Sequence, residues 1–563
     1  MIEEKRKLPV GIENFEQIIK EDFYYVDKTG LISELLRNWG LVNLFTRPRR
    51  FGKSLNMSML EHFFSKEGDK SIFEGLEISK DTKLCEDYMG NYPVISISLK
   101  SINADSYEKA FDFAVQILQE AAEKAQFLLE SEHLSAHDKS VYRKLLDSSM
   151  SEAVFCGGLK KLSGLLEKHY GTKVILLIDE YDVPLAKAFE GGYYDRMVFL
   201  IRNLLEQALK TNNSLKFAVL TGCMRISKES IFTGLNNFNT FSVTDVDFDE
   251  YFGFTDQEVR DLLAYYECSE KYPVVKEWYD GYRFGNVEVY CPWDVVCYCR
   301  RLRTDKKARP QNYWINTSSN DAVKKFIGKS ENATTKREIE RLMAGESITK
   351  TIRPELTYND MYSSIENIWS VLFTTGYLTQ TDEIDEQVYR LTIPNMEIRN
   401  IFATQIMEYF QESIRKDGDM LNRFCDALME GEAKNVEQIL ENYLKKTISI
   451  RDTFARNGMK ENFYHGILLG ILGIKEDWSV HSNCEAGEGY CDLLIETGNS
   501  EMGIVIEVKY AGDGKLDEAC WKALKQIGER KYDEELRENG VKKILRYGIA
   551  CYKKQCRVMQ ADE

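Results

Sequence analysis

The stretch Leu41-Val-Asn-Leu-Phe-Thr-Arg-Pro-Arg-Arg-Phe-Gly-Lys-Ser54 constrains this chain more than any other. An apolar run of strand length ends in a loop closing on Gly-Lys-Ser. Leu55, Met59, Leu60 and Phe63 then follow at helical spacing. A buried strand, a tight loop and a helix beginning near Ser54 and Leu55 are the building unit of a parallel α/β sheet. The residue types suit a phosphate. Gly52 lets the backbone come close, Lys53 reaches outer phosphates, and Ser54 offers a hydroxyl to bound magnesium. The helix N-terminus adds free N–H groups and the positive end of a dipole. The spacing G-x-x-x-x-G-K-[ST] asks for glycine at position 47, where this chain has Arg47. By itself, Gly-Lys-Ser is equally compatible with a strand-to-helix turn carrying a solvated lysine.

A carboxylate-bearing strand tips the balance toward a nucleotide. Lys173-Val-Ile-Leu-Leu-Ile-Asp-Glu-Tyr181 is continuously apolar and short, as a strand buried on both faces of a parallel sheet reads. It ends in Asp179 and Glu180, at the edge where open α/β sheets bind ligands. Asp179 is expected to hold the water shell of Mg²⁺, and Glu180 to polarise an attacking water. The alternative for both is an N-cap acid after a core strand. Leu215-Lys-Phe-Ala-Val-Leu-Thr221 is a further buried strand, and Thr221 at its end is a candidate sensor of the γ-phosphate. Arg225, just beyond, is either a phosphate contact for its own or a neighbouring subunit's nucleotide or an ordinary surface arginine.

Composition narrows the class. A chain of 563 residues exceeds one core and implies several domains. A net charge of -16 excludes a surface that grips nucleic acid everywhere, so any polyanion must meet a local basic groove. The 13 cysteines are scattered, and Met1-Ile-Glu-Glu-Lys-Arg6 has no signal-peptide character, so reduced thiols and a cytoplasmic location are expected. Cys291, Cys297 and Cys299 cluster without the C-x-x-C pair or neighbouring histidine of a zinc site. His133 and His137 are expected to be solvated. No apolar run approaches the ~20 residues that span a bilayer.

The pattern divides the chain into three. Residues 1–253 alternate strands and helices: a helix near Phe15, an extended Phe23–Thr29 piece and a helix over Leu31–Leu36 lead into the first core strand. The half-exposed strand Val94–Leu99, a long helix over Tyr107–Leu129 and a helix over Met197–Leu209 follow. Residues 254–447 read as aromatic-rich helices, with Trp278-Tyr-Asp-Gly-Tyr-Arg-Phe-Gly285, Trp314-Ile-Asn-Thr317 and a strand pair near Val388–Ile393. Those aromatics most simply build a core and a domain interface, with a base-stacking surface as the alternative. Residues 448–563 carry the second chemical stretch. Gly489-Tyr-Cys-Asp-Leu-Leu-Ile-Glu496 and Met502-Gly-Ile-Val-Ile-Glu-Val-Lys-Tyr510 flank a turn signal and read as a β-hairpin. Glu507 and Lys509 share one face of an otherwise apolar strand, where charges are costly unless paired or metal-bound. Asp492 lies roughly opposite on the partner strand. An Asp and a Glu so placed suit a hard divalent cation, and a lysine beside them can orient a water. The alternative is an ion pair on the exposed face of an ordinary hairpin. A helix over Leu516–Ile527 and a strand over Leu545–Cys551 complete this part.

With those residues in place, the chain resembles a bacterial family that joins an AAA-ATPase-like domain to a C-terminal PD-(D/E)XK nuclease-superfamily domain. The likeness lies in Tyr25-Val-Asp-Lys-Thr29, Arg47-Pro-Arg-Arg-Phe-Gly-Lys-Ser54, Leu177-Ile-Asp-Glu-Tyr-Asp182, Thr221-Gly222 and Ser230-Ile-Phe-Thr-Gly-Leu-Asn-Asn237. It continues in Trp278–Tyr282 and Thr375–Thr379, and in Glu485, Gly487, Gly489, Asp492, Glu507, Lys509, Gln526 and Tyr532. The resemblance implies that Arg47 belongs to the family's own phosphate loop. It also implies that Glu485, on or near a preceding helix, is an additional metal-site acid and that Gln526 helps hold substrate. The family has an arginine two residues before the aspartate, where this chain has Tyr490.

The expected architecture is therefore α/β: a P-loop NTPase (AAA-like) parallel-sheet domain, a helical middle region and a restriction-endonuclease-like C-terminal domain. ATP is expected on Arg47, Gly52, Lys53, Ser54, Asp179, Thr221 and Arg225, with Glu180 catalytic and Mg²⁺ at Ser54 and Asp179. A second Mg²⁺, replaceable by Mn²⁺, is expected at Glu485, Asp492 and Glu507, with Asp492, Glu507 and Lys509 cleaving DNA or RNA in a local groove. AAA-type sites often form between subunits, so a homo-oligomer is among the expected partners. The rival reading is a nucleotide-operated binding switch whose nuclease domain is inactive.

Overall fold

A computed structural model of the chain describes residues 5–226, 238–314, 323–324, 326–327, 333–343, 345–361, 363–416, 418–446, 457–472, 475, 478–486, 489–497, 502–538 and 540–561. The chain separates into two compact units. The first holds residues 1–319 and 350–397, the second residues 320–349 and 398–563.

In the first unit, strands β1 (Val42–Thr46), β2 (Val94–Ser98), β3 (Val174–Asp179), β4 (Leu215–Gly222) and β5 (Phe238–Phe241) form one sheet. Their order is β2-β3-β4-β1-β5, and every neighbouring pair is parallel. The order decides what meets at the sheet's C-terminal edge. β4 lies between the Gly-Lys-Ser strand β1 and the acidic strand β3, so Thr221 stands between their two loops. β1 and β3 are buried along their whole length, as their unbroken apolar runs require, whereas β2 at the edge alternates. Helix α1 (Lys53–Phe64) starts at Lys53 because Gly52 takes a left-handed φ of 77°, turning the chain from strand into helix. The long helix expected over Tyr107–Leu129 is broken: an α-helix ends at Glu123 and a 3-10 turn covers Gln126–Leu129.

The stretch after Gly253 is mainly helical, as expected, with short hairpins inserted between its helices. The Trp278–Gly285 motif is the end of one helix and the first arm of a hairpin, Tyr282–Phe284 against Val287–Tyr290. Thr379–Asp385 pairs antiparallel with Val388–Thr392 in a second hairpin. Tyr279, Tyr290 and Tyr298 pack with Leu8, Val259 and Leu262 in one buried cluster, so these aromatics are core. Helix α2 (Pro292–Thr304) contributes to the same cluster.

The second unit has its own five-stranded sheet, in sequential order: β6 (Trp478–Ala486), β7 (Gly489–Thr497), β8 (Met502–Tyr510), β9 (Lys543–Tyr552) and β10 (Gln555–Gln560). β7 and β8 form the expected antiparallel hairpin. β8 and β9 are parallel and joined by helix α4 (Leu516–Arg530), whose Cys520, Ala523, Leu524 and Ile527 face inward. Helix α3 (Asn457–Leu472) packs on β8 and β6. One expectation is corrected here: Glu485 lies on strand β6, paired with Tyr490, and not on a helix. The alternation through Trp478, Val480, Ser482 and Cys484 is the period-2 pattern of a strand. Among the described residues no helix is long and apolar enough to cross a membrane.

Candidate nucleotide and metal sites

In the first unit the sheet's edge brings Lys53, Ser54, Asp179, Glu180 and Thr221 together. Asp179 accepts from Ser54 Oγ at 2.7 Å through one oxygen and from Thr221 Oγ1 through the other. The hydroxyl expected at a magnesium and the carboxylate expected in its outer shell are thus already neighbours. Lys53 is buried and folds back, its Nζ donating to the carbonyls of Pro48 at 2.8 Å and Arg47 at 3.0 Å. Those carbonyls hold the ammonium at the mouth of the loop.

Glu180 has a left-handed φ of 53°, which carries it out of the strand toward the cavity. Burial, and then the neighbouring Asp179 carboxylate, raise its pKa above the ordinary carboxylate value. The cavity measures about 460 Å³. Arg49, Arg50, Lys53, Lys100 and Glu180 line it together with Tyr24, Phe254 and Trp293, and the Arg50 guanidinium lies 3.9 Å over the Trp293 ring. Charged groups and aromatic rings in one cavity fit a nucleotide's two chemistries. A Cβ at Gly52 would meet nothing within 4 Å, so the loop's inner face is open to a ligand.

Two expected phosphate contacts stand elsewhere. Arg47 is a core residue: its guanidinium donates to the carbonyls of Phe241 at 2.8 Å, Thr46 at 3.0 Å and Phe248 at 3.2 Å, and lies over the rings of Phe252 and Phe284. It pins β1 to β5 from inside, and only its carbonyl reaches the site. Arg225 forms an ion pair with Glu355 at 2.7 Å on a short parallel bridge between Arg225–Ile226 and Glu355–Leu356. The Tyr25–Thr29 motif braces the cavity, which Tyr25, Val26 and Lys28 help to line. Lys28 is buried on both oxygens of Glu258 at 2.7 Å, and Asp27 accepts from the Thr29 and Glu77 amides. Residue reasoning missed Arg49, Lys100 and Trp293. Lys100 could have been found, because it follows β2 at the same sheet edge that drew attention to Asp179.

In the second unit the hairpin register sets Asp492 against Glu507. Asp492 Oδ2 accepts from the Val508 amide at 2.8 Å. Glu507 is buried; one oxygen accepts from Lys509 Nζ at 2.9 Å, and the other, Oε2, has no partner among the described residues. Burial, and then repulsion from Asp492, push the Glu507 pKa up to about 7. Burial pulls on Lys509 in the opposite sense, but Glu507 outweighs it and the ammonium is held above its ordinary value. An orphaned buried carboxylate oxygen beside a second carboxylate is what a hard cation would satisfy. Among the described residues no group of three or more His, Cys, Asp or Glu side chains forms a metal cluster. The pair therefore fits a cation completed by water and phosphate oxygens. The side chain of Glu485, Gly487 and residues 230–237 and 315–317 lie outside the described residues.

Helix α3 supplies two residues that sequence reasoning missed. Glu461 accepts from the Tyr510 amide at 3.3 Å and adds its field at Lys509. His465 Nε2 donates to the Asp492 carbonyl at 2.9 Å, fixing the strand that carries the aspartate. Gln526 donates to the Tyr532 hydroxyl at 3.1 Å, beside the same hairpin.

Residues 9–232 match the family model of predicted AAA-ATPases (AAA-ATPase-like), and residues 459–561 match a model of the PD-(D/E)XK nuclease superfamily. The chain is also 27% identical over 414 residues to a protein of Azotobacter chroococcum mcd 1 named "Uncharacterized protein in vnfD 5'region". That likeness covers 72% of this chain and 71% of the relative.

Proposed function

We propose that this chain, which carries an AAA-ATPase-like domain over residues 9–232 and a PD-(D/E)XK nuclease-superfamily domain over residues 459–561, is an ATP-regulated, Mg²⁺-dependent nucleic-acid phosphodiesterase. The observation that carries the reading is the buried, half-satisfied Glu507 carboxylate beside Asp492 and Lys509. A buried carboxylate oxygen left without a partner beside a second carboxylate is an arrangement that a hard cation would satisfy. A bound divalent cation would neutralise charge building on the phosphoryl oxygens. Lys509, three-donor and held by Glu507, would orient the attacking water. At the other site Lys53 would exchange the Arg47 and Pro48 carbonyls for phosphate oxygens, Ser54 and Asp179 would hold Mg²⁺ at the nucleotide, and Glu180, poised to accept a proton, would prepare the water.

A second reading has one observation in its favour. Arg225, the arginine offered to stabilise charge in ATP hydrolysis, is tied to Glu355. ATP binding with slow turnover would make the first unit a switch. The test incubates full-length protein with labelled DNA and RNA, with Mg²⁺ or Mn²⁺, with and without ATP, alongside Glu507→Gln and Lys53→Ala. Cleavage that Glu507→Gln abolishes, and that Lys53→Ala releases from ATP control, is the expected result. ATP binding without cleavage of any substrate would leave the switch.

A further inference from the structure

Two large aromatic side chains stand out of the second unit into solvent: Tyr490 is 67% and Trp521 65% exposed. Tyr490 lines a recess of about 600 Å³ together with Lys522, Lys525, Gln526, Arg530 and Tyr532. Trp521 lies one turn before Lys525 on α4, so it borders the same face. The floor of the recess is fixed. Gln526 holds the Tyr532 hydroxyl, and a Cβ at Gly489 would sit 3.2 Å from that hydroxyl. The recess adjoins the carboxylate pair: Tyr490, in its lining, stands two residues before Asp492 on β7. Three cations and one acid, Glu529, line it, and Glu529 is 3.5 Å from Lys525.

An aromatic ring two-thirds exposed to water gains most by stacking on another flat apolar face. In a duplex those faces are already covered by neighbouring base pairs. In an unpaired strand they are free, and every base has one. Lysines in the same recess would meet the phosphates that link such bases. We infer that this recess is the entry platform for an unpaired polynucleotide, a single strand or frayed end, with bases stacked on Tyr490 and Trp521 and phosphates on Lys522 and Lys525. The inference rests on the phosphodiesterase reading for what happens to the strand, but not for its binding.

The test is fluorescence anisotropy of labelled oligo(dT), oligo(U) and a blunt DNA duplex of equal length with full-length protein in EDTA. Either single strand should bind about tenfold or more tightly than the duplex. The double variant Tyr490→Ala/Trp521→Ala should lose about tenfold or more on single strands and little on duplex. Both side chains are exposed, so folding should survive, and Tyr490→Phe/Trp521→Phe should restore affinity. Lys522→Ala/Lys525→Ala should weaken all three and flatten the salt dependence. Comparison of oligo(dT) with oligo(U) tells DNA from RNA. Duplex bound as tightly as single strands, aromatic variants without effect, or no binding at all would overturn the platform. Single-strand binding without cleavage in Mg²⁺ would remove the phosphodiesterase reading and leave the platform. Duplex cleavage indifferent to the aromatic variants would do the reverse.

Discussion

Glu507→Gln should stabilise the metal-free hairpin at alkaline pH while destroying its response to divalent cations. Burial and Asp492 raise the Glu507 pKa from an ordinary 4.5 to about 7. A raised acid keeps its proton in the folded state when the unfolded chain has already lost it. Stability is therefore greatest below pH 4.5, falls as pH rises toward 7, and stays low above. A shift of that size corresponds to roughly 3 kcal/mol, with the attraction of Lys509 already included. Glutamine stays neutral at every pH and so removes that penalty while keeping an oxygen for Lys509 Nζ. The gain at pH 8 should be about 3 kcal/mol, or on the order of a hundredfold in the protection of β7 and β8 amides read by hydrogen exchange. At pH 4 the gain should vanish. Saturating Mg²⁺ or Mn²⁺ should protect the same amides in the wild type by a comparable factor and leave the variant unchanged. A variant less protected than wild type at pH 8, or one that gains equally from the cation, would refute the argument.

Arg47→Met should destabilise the first unit by about 3–5 kcal/mol, because the carbonyls of Phe241 and Phe248 lose a charged donor inside the core. Chemical denaturation measures it, and the folded variant should still bind ATP. Asp294 and Glu397 form a buried carboxyl pair that titrates above the ordinary carboxylate range, Asp294 because of burial and Glu397 because of burial and then Asp294. The folded state holds protons that the unfolded chain releases, so stability falls as pH rises above the ordinary carboxylate range. Asp294→Asn should raise the melting temperature at pH 8 and leave it nearly unchanged at pH 4. Gly281 has a φ of 93°, and a Cβ there would collide with the Pro394 carbonyl oxygen. Gly281→Ala should therefore cost several kcal/mol, seen as a lowered denaturation midpoint, where Gly52→Ala, with open space around it, should cost only about 1 kcal/mol of backbone strain.

The sequence alone determined the elements whose side chains alternate or run apolar within a few residues. β1, β3, β4 and the β7–β8 hairpin are legible because burial imposes its period locally, and the acids closing β3 and the Glu507–Lys509 pair are legible because charge in such a run is conspicuous. Side-chain direction and partners from distant segments were not legible. The family likeness sets Arg47 in the phosphate loop, but the carbonyls that capture its guanidinium come from 194 and 201 residues further on. Arg225 is likewise claimed by Glu355, and Glu485, which the family likeness sets on or near a preceding helix, lies on a strand paired with Tyr490. The meeting of Thr221 with Asp179, and of Glu461 and His465 with the hairpin, follows from strand order and helix docking. Those are set by how whole faces bury against each other, and no short window of sequence contains both faces.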